Sequence, residues 1–215
     1  MKVGILGSGQ VGRTLGTGFA SKGHDVMIGT RDPEKRELKT WRKGTKGKAS
    51  VGTFADAAAH GELLILACAG SAAMEVLDAA GPDAFEGKVL IDVTNPLEFN
   101  GGRMPGLFVG VTDSLGERVQ KKLPGARVVK CLNTMNASTM THPRMKDGTA
   151  DALICGDDAA AKRKVARLLK EFGWSAPIDV GGIEGARWTE AWVPLWMRIA
   201  DDAGSWSVAL KILRK

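Results

Sequence analysis

Residues 1–12 read MKVGILGSGQVG, in which the apolar segment Lys2 to Leu6 runs directly into Gly7-Ser8-Gly9-Gln10-Val11-Gly12. The segment has the length of a strand, and the G-x-G-x-x-G pattern after it opens an apolar-periodic helix. Gly7 permits a tight turn, Gly9 lets the backbone approach a pyrophosphate, and Gly12 lets the helix pack close to the sheet. Amides at the helix N-terminus would bind the anion. The sequence therefore predicts a dinucleotide-binding unit.

The end of the second predicted strand, His24 to Gly29, indicates which dinucleotide is bound. NAD enzymes place an acidic residue there, against the ribose 2′-hydroxyl. This strand is instead followed by Thr30 and Arg31, with Lys35 one helical turn later. A hydroxyl and two cations suit a 2′-phosphate, which favours NADP over NAD. We interpret Asp32 as the N-cap of the next helix.

Length and composition are those of a globular protein with one large domain, alone or with a small appendage. The 215 residues are 44% hydrophobic and 25% charged. No apolar stretch approaches the length of a membrane span, and the apolar run Val3 to Leu6 is too short for a secretory signal. We therefore expect a cytoplasmic protein that does not contact a membrane.

The net charge of +6 and the isoelectric point near 9.3 raise the possibility of a nucleic-acid partner. The sequence contains no zinc-ligand spacing, aromatic-basic ribbon or helix-turn-helix pattern to accompany that charge. A polyanionic cofactor explains the positive charge more economically, because such a field steers phosphates toward a site. We expect a small-molecule cofactor or substrate and no nucleic acid.

Few residues are candidates for acid-base or metal chemistry. Cys68, Cys131 and Cys155 are widely spaced in apolar runs, which is typical of buried, reduced thiols and of no metal site. The chain has no tyrosine, and His142 is the one histidine predicted near the ligand-binding end of the sheet. The sequence therefore assigns no catalytic residue. Such a site suits hydride transfer between two rings, where proximity and orientation supply most of the rate.

Apolar runs alternate with helical patterns along the whole chain, which predicts an α/β fold with a Rossmann-type doubly wound, mainly parallel sheet and a small C-terminal α/β extension. We assign residues 1–136 to an NADP-binding domain and residues 137–215 to a small C-terminal domain that ends in a long helix. Ligands bind beyond the carboxyl ends of the strands. Ala69 and Gly70 would let a ribose or nicotinamide approach there, and Asn95 is either a nicotinamide contact or a strand-end turn.

Trp188, Trp192 and Trp196 recur every four residues along the predicted last helix. This spacing is typical of a stripe packed in a core or a subunit interface, and we expect all three to be buried, with a homodimer using this region. An apolar wall over a ring beside the nicotinamide is the alternative.

Longer blocks of the sequence resemble the NADPH-dependent reductases of the deazaflavin coenzyme F420, over essentially the full length. The blocks that carry the resemblance are Gly7-Ser8-Gly9-Gln10-Val11-Gly12, Ile28-Gly29-Thr30-Arg31, Asp92-Val93-Thr94-Asn95-Pro96-Leu97, Val128-Val129-Lys130 with Asn133-Thr134, Cys155-Gly156-Asp157-Asp158, and Pro177-Ile178-Asp179-Val180-Gly181 with Ala186-Arg187 and Glu190. The resemblance implies a Rossmann domain that binds NADP, with the deazaflavin stacked on the nicotinamide. It assigns NADP contacts to Ser8, Gly9, Gln10, Val11, Thr30, Arg31 and Lys35, and further ones to Gly70, Met74, Asn95 and Ala137.

Two departures from that family leave the electron acceptor open. Archaeal members carry Pro-Trp at Ala69-Gly70 and His-Thr at Asn133-Thr134. Similar domains form the cytoplasmic part of membrane metalloreductases, where the acceptor is a flavin. The alternatives to a deazaflavin or flavin-like acceptor are an NADPH-dependent reductase of a small carbonyl or imine, and a non-enzymatic NADPH-binding sensor.

Overall fold

An eight-stranded sheet forms the centre of the protein in a computed structural model, which describes residues 1–102 and 104–213. The strands in chain order are β1 (Lys2–Leu6), β2 (Asp25–Gly29), β3 (Lys48–Gly52), β4 (Leu63–Leu66), β5 (Val89–Asp92), β6 (Leu97–Glu98), β7 (Gly106–Leu107), β8 (Arg127–Cys131), β9 (Arg144–Met145), β10 (Gly148–Thr149), β11 (Leu153–Cys155) and β12 (Ile178–Asp179). The sheet order is β12-β11-β8-β5-β4-β1-β2-β3, while β6-β7 and β9-β10 form two small antiparallel ribbons.

Six neighbouring strands of this sheet are parallel to one another, in the order β3, β2, β1, β4, β5 and β8. The next strand, β11, runs antiparallel to its neighbour β8. The order β3-β2-β1-β4-β5-β8 is that of the doubly wound dinucleotide-binding fold, so the predicted fold class is confirmed. Strand β4, Leu-Leu-Ile-Leu, is buried at every position. Continuous apolar strands of this kind need helices on both faces of a parallel sheet.

In the part of the chain that the structure describes, eight α-helices cover the two faces of the sheet and connect the strands. They are α1 (Gln10–Ser21), α2 (Arg36–Gly44), α3 (Phe54–His60), α4 (Ala73–Ala80), α5 (Leu115–Lys122), α6 (Ala137–Thr141), α7 (Ala159–Glu171) and α8 (Ala186–Asp202). Three short 3-10 helices cover Gly70–Ala72, Pro82–Phe85 and Ile183–Gly185. Within the described ranges, no helix combines the length and the apolarity that crossing a bilayer requires.

The start of α2 differs from the sequence prediction. The helix begins at Arg36 with Lys35 as its N-cap, and Asp32 is not the cap. The carboxylate of Asp32 instead accepts a hydrogen bond from the Glu34 amide at 3.0 Å. Asp forms such local turns as readily as it caps helices, so the sequence pattern fits both structures.

The C-terminal part of the chain extends the sheet of the first part, because β11 and β12 add to its β8 edge. The division at residues 136 and 137 remains a prediction, and residues 214 and 215 of the predicted second domain lie outside the described residues. Helix α8 packs against α5. On the surface, the Arg187 guanidinium forms a two-point ion pair with Glu117, and its hydrogen bonds lower the pKa of that carboxyl.

A buried ion network attaches α8 to the sheet. The Lys130 ammonium on β8 lies 2.9 Å from Asp92 at the end of β5 and 2.7 Å from Glu190 on α8, and all three side chains are at most 2% exposed. Burial pulls the pKa of Lys130 down, but the two carboxylates outweigh that effect and raise it above its ordinary value. Glu190 also accepts the Leu115 and Gly116 amides at the N-terminus of α5. The Glu190 carboxylate therefore interacts favourably both with the positive N-terminal end of α5 and with the Lys130 ammonium.

Within one chain the tryptophans of the stripe differ in burial, and burial of the exposed one by a second subunit stays a prediction. Trp196 is 7% exposed, Trp192 is half-buried, and Trp188 is 64% exposed. Residues spaced by four rotate about 40° per step around a helix, so Trp196 lies about 80° from Trp188. That rotation carries Trp196 into the buried face of α8, which contains Glu190 and Val193, and leaves Trp188 outside it.

Candidate functional site

The crevice of the sheet lies at the carboxyl ends of β1, β2 and β4, where the strand order reverses. It contains a cavity of about 200 Å³. The predicted binding residues that line the cavity are Gly7, Ser8, Gly9, Thr30, Arg31, Lys35 and Ala69. The structure therefore brings together the glycine turn, the end of β2 and the turn after β4.

The fold requires glycine at two positions of the glycine turn, Gly7 and Gly12, whereas Gly9 leaves room for a ligand. Gly7 has φ +133°, and a Cβ on Gly12 would lie 2.0 Å from the Gly7 carbonyl oxygen. Neither position tolerates a side chain. Gly9 has an ordinary extended backbone, and a Cβ there would meet nothing within 4 Å. The open space over Gly9, at the N-terminus of α1, fits a bound pyrophosphate.

The end of β2 fits a second anion. The hydroxyls of Ser8 and Thr30 lie 3.0 Å apart, and Thr30 is buried at the base of the cavity. Arg31 and Lys35 are exposed on its rim, and neither pairs with a carboxylate of residues 1–102 or 104–213. Two uncommitted cations beside two hydroxyls suit the charge and the hydrogen-bonding capacity of a 2′-phosphate.

A second cavity, of about 590 Å³, borders Gly70 and Met74. Its apolar lining includes Leu97, Phe99 and Phe108. A Cβ on Gly70 would lie 2.0 Å from the Asn95 carbonyl oxygen. Position 70 therefore has to be glycine because the turn at Asn95 passes close to its backbone. The sequence interpretation had explained Gly70 by the approach of a ligand alone.

Asn95 joins a side-chain cluster beyond the ends of β5 and β8. Its Nδ2 donates to the main-chain carbonyl of Asn133 at 2.8 Å, and its Oδ1 accepts from Asn133 Nδ2 at 3.0 Å. Asn133 Nδ2 also lies 3.4 Å from the Thr189 hydroxyl on α8. Asn95 is thus more than a strand-end turn, since it connects two strand ends that face α8.

Four predicted contacts line neither cavity: Asn95, described above, and Gln10, Val11 and Ala137. Gln10 and Val11 are the first residues of α1, where Gln10 is exposed and Val11 packs against the core. Ala137 is the buried first residue of α6 and lines neither cavity. The structure places α6 beside α1, so Ala137 borders the glycine-turn helix and not the cavity that the glycine turn forms.

The thiols and His142 contribute little acid-base capacity near these cavities. Cys68 lines the first cavity, but burial followed by the charge of Asp92 raises its pKa to about 12, so the thiol stays neutral at neutral pH. Burial also raises the pKa of Cys131 and Cys155 to about 12. His142 is exposed and lines a different cavity beside the β9-β10 ribbon. Among the described residues, no group of three His, Cys, Asp or Glu side chains could hold a metal ion.

Comparison with known proteins places this site in a family. The family described as NADP oxidoreductase, coenzyme F420-dependent, matches residues 2–96. The F420-dependent NADP reductase of Methanothermobacter marburgensis is 31% identical over 211 residues, which are 93% of this chain and 92% of that protein. The chain belongs to the F420-dependent NADP reductase family.

Two other proteins show how far the likeness extends. The crystal structure of a candidate F420-dependent NADP reductase from Arthrobacter sp. FB24 matches this chain with a TM-score of 0.95 and 42% identity, over 100% of both chains. The rat metalloreductase STEAP3 is 32% identical over 196 residues, and the match covers 90% of this chain but only 36% of that protein. Members of the F420-dependent NADP reductase family are NADP-dependent oxidoreductases, and so is this chain.

The sequence analysis assigned no ligand contact to Asn133, although Asn133-Thr134 was among the blocks that carry the family resemblance. A usable signal was its position: Asn133 follows β8 in the way that Asn95 follows β5. Phe54 and Glu75, which also line the first cavity, had no such signal because each lies within a helix pattern.

The glycine turn generates a test with a matched control. Gly9→Ala introduces a Cβ into open space, so the fold should be retained while NADPH affinity falls by at least tenfold, about 1.4 kcal/mol. Gly12→Ala introduces a clash with Gly7 and should lower the thermal unfolding midpoint. Calorimetric titration and thermal melts of both variants measure the two effects. A Gly9→Ala variant that binds NADPH like the wild type would place the pyrophosphate elsewhere.

Proposed function

We propose that this chain binds NADP(H) across the glycine turn and transfers a hydride between NADPH and a deazaflavin or flavin-like acceptor. The observation that carries the proposal is the pairing of an open glycine turn with two uncommitted cations and two hydroxyls at the end of β2. Relatives that the chain covers almost completely are named F420-dependent NADP reductases, which supports the deazaflavin over other acceptors.

The residues of the site bind and orient, and NADPH when bound supplies the hydride. In this proposal Gly9 and the first amides of α1 hold the pyrophosphate, while Thr30, Arg31 and Lys35 hold the 2′-phosphate. The neutral Cys68 thiol and His142, which lines neither of the two cavities, leave proton transfer to water. Rate enhancement then comes from holding two rings close and excluding solvent.

We propose that the acceptor ring enters through the larger, apolar cavity. Met74, Leu97 and Phe108 offer apolar surface, and Gly70 joins this cavity to the turn that carries Asn95. Arg118 lines the same cavity and pairs with Asp113 at 2.8 Å, so an acidic substituent of the acceptor would share this cation with Asp113. NADPH chemistry and three unpaired thiols support a cytoplasmic location.

Cofactor preference tests the first half of the proposal. We expect NADPH to bind at least about tenfold more tightly than NADH, because Thr30 and Arg31 follow β2 where NAD enzymes have an acidic residue. Arg31→Ala should remove most of this preference and leave NADH binding almost unchanged. Calorimetric titrations of wild type and variant give both ratios. Equal affinities of the wild type for the two cofactors would contradict the 2′-phosphate site.

The acceptor is tested by NADPH oxidation against coenzyme F420, FMN, FAD and small carbonyl and imine compounds. We expect turnover with the deazaflavin or a flavin. Leu97→Trp, which fills the larger cavity, should raise the KM for the acceptor and leave the Kd of NADPH unchanged. Turnover with the carbonyl or imine compounds alone would favour the alternative reductase, and no turnover with any acceptor would favour a sensor.

We also propose that a second copy of the chain covers the exposed side of α8. Trp188, Leu195 and Ile199 are 64%, 52% and 44% exposed and recur at helical spacing, which makes an apolar stripe. Light scattering should give the mass of a dimer for the wild type and of a monomer for Trp188→Glu. Val111→Glu, at an exposed apolar residue elsewhere, should remain dimeric. A monomeric wild type would contradict the proposal.

A further inference from the structure

Asn133 presents a buried acceptor without a donor. The side chain is 2% exposed, and its Oδ1 is one of two buried side-chain atoms that have no hydrogen-bond partner among the described residues. A buried polar atom without a partner is costly, and native structures contain few of them. Asn133 follows the carboxyl end of β8, the end of the sheet at which this fold binds ligands, so its unpartnered acceptor points to a donor that a ligand supplies.

The orientation of this amide follows from its neighbours. The main-chain carbonyl of Asn133 can only accept, so the atom of Asn95 that faces it must be Nδ2. Asn95 Oδ1 then faces the Asn133 side chain and requires a donor, which must be Asn133 Nδ2. A flipped Asn133 would bring two oxygens together. Asn133 Oδ1 therefore points away from Asn95 and stays unsatisfied.

The position of Asn133 relates this acceptor to the ligand-binding edge. Asn133 lies against Asn95, whose carbonyl oxygen packs on Gly70 at the edge of the larger cavity. The preceding residue, Leu132, is the one non-glycine residue with a positive φ in the described ranges, at +63°. Leucine adopts this backbone region at a cost, and such strain gathers where a side chain has to be aimed.

We propose that Asn133 Oδ1 accepts a hydrogen bond from the carboxamide N–H of the nicotinamide and so positions the ring; this rests on the proposed NADP(H) function. The carboxyl ends of β5 and β8 are where the nicotinamide half lies when the adenine half occupies the ends of β1 and β2. The carboxamide offers a planar N–H donor, which complements a fixed amide oxygen. Asn133 is a positioning residue and takes no part in proton transfer.

The experiment compares three ligands by calorimetry: NADP⁺, its 3-acetylpyridine analogue, and adenosine 2′,5′-bisphosphate. The analogue replaces the carboxamide NH₂ by a methyl group, and the bisphosphate lacks the nicotinamide. We expect the wild type to bind NADP⁺ about tenfold more tightly than the analogue. Asn133→Leu should lose this preference by weakening NADP⁺ alone and should bind the bisphosphate like the wild type. Thr189→Val removes another neighbour of Asn133 and should keep the preference.

The outcomes separate this proposal from the proposed function. Equal binding of NADP⁺ and the analogue by the wild type would overturn it, and this measurement needs no variant to fold. A loss by Asn133→Leu that is equal for all three ligands would also overturn it, because it would indicate a structural role. Bisphosphate that binds neither wild type nor variant would refute the NADP(H) site itself, and the Asn133 contact with it.

Discussion

The arrangement of the site depends on one buried ion network, in which Lys130 lies between Asp92 and Glu190. Each carboxylate has further partners, since Asp92 accepts from the Thr94 amide and hydroxyl and Glu190 from two amides of α5. Removing one member of such a network leaves an uncompensated buried charge, at about 3–5 kcal/mol. Because its carboxylate partners raise the pKa of Lys130, the contribution of its charge is lost only as the pH rises above the ordinary lysine range.

This network fixes the place where the ends of two strands meet the last helix. Asp92 and Lys130 lie in β5 and β8, a few residues before Asn95 and Asn133, and Glu190 adjoins Thr189 on α8. The salt bridges therefore hold in place the same three elements that the asparagine cluster joins one layer closer to the crevice. We infer that the buried network of Asp92, Lys130 and Glu190 stabilises the strained backbone of Leu132.

Local features of the fold could be predicted because their causes are local. Strand β1 and the glycine turn follow from adjacent residues. Thr53 caps α3 in a capping box with Asp56, which lies three residues later, and this spacing is visible in the sequence. The N-cap prediction for Asp32 was wrong because one carboxylate suits two local structures. The exposure of Trp188 within one chain could not be predicted because burial of a helix face is decided by what packs on it. The position of Asn133 after β8 could be predicted from the sequence, but its role could not, since its unsatisfied oxygen appears only when Asn95 and Thr189 are brought to it from distant parts of the chain.

The two halves of the proposed NADP(H) site therefore differ in how the sequence specifies them. The adenine half needs a tight turn, open space at Gly9 and cations at the end of one strand, all within the first 35 residues. The nicotinamide half is assembled from β5, β8 and α8 by contacts between residues far apart in the chain. Departures from the archaeal pattern fall at Gly70 and Asn133, both in this second half, where a substitution acts through packing and hydrogen bonds across elements. In this proposal cofactor choice depends on a few residues close together in the chain, whereas acceptor choice depends on the contacts of distant strand ends with α8.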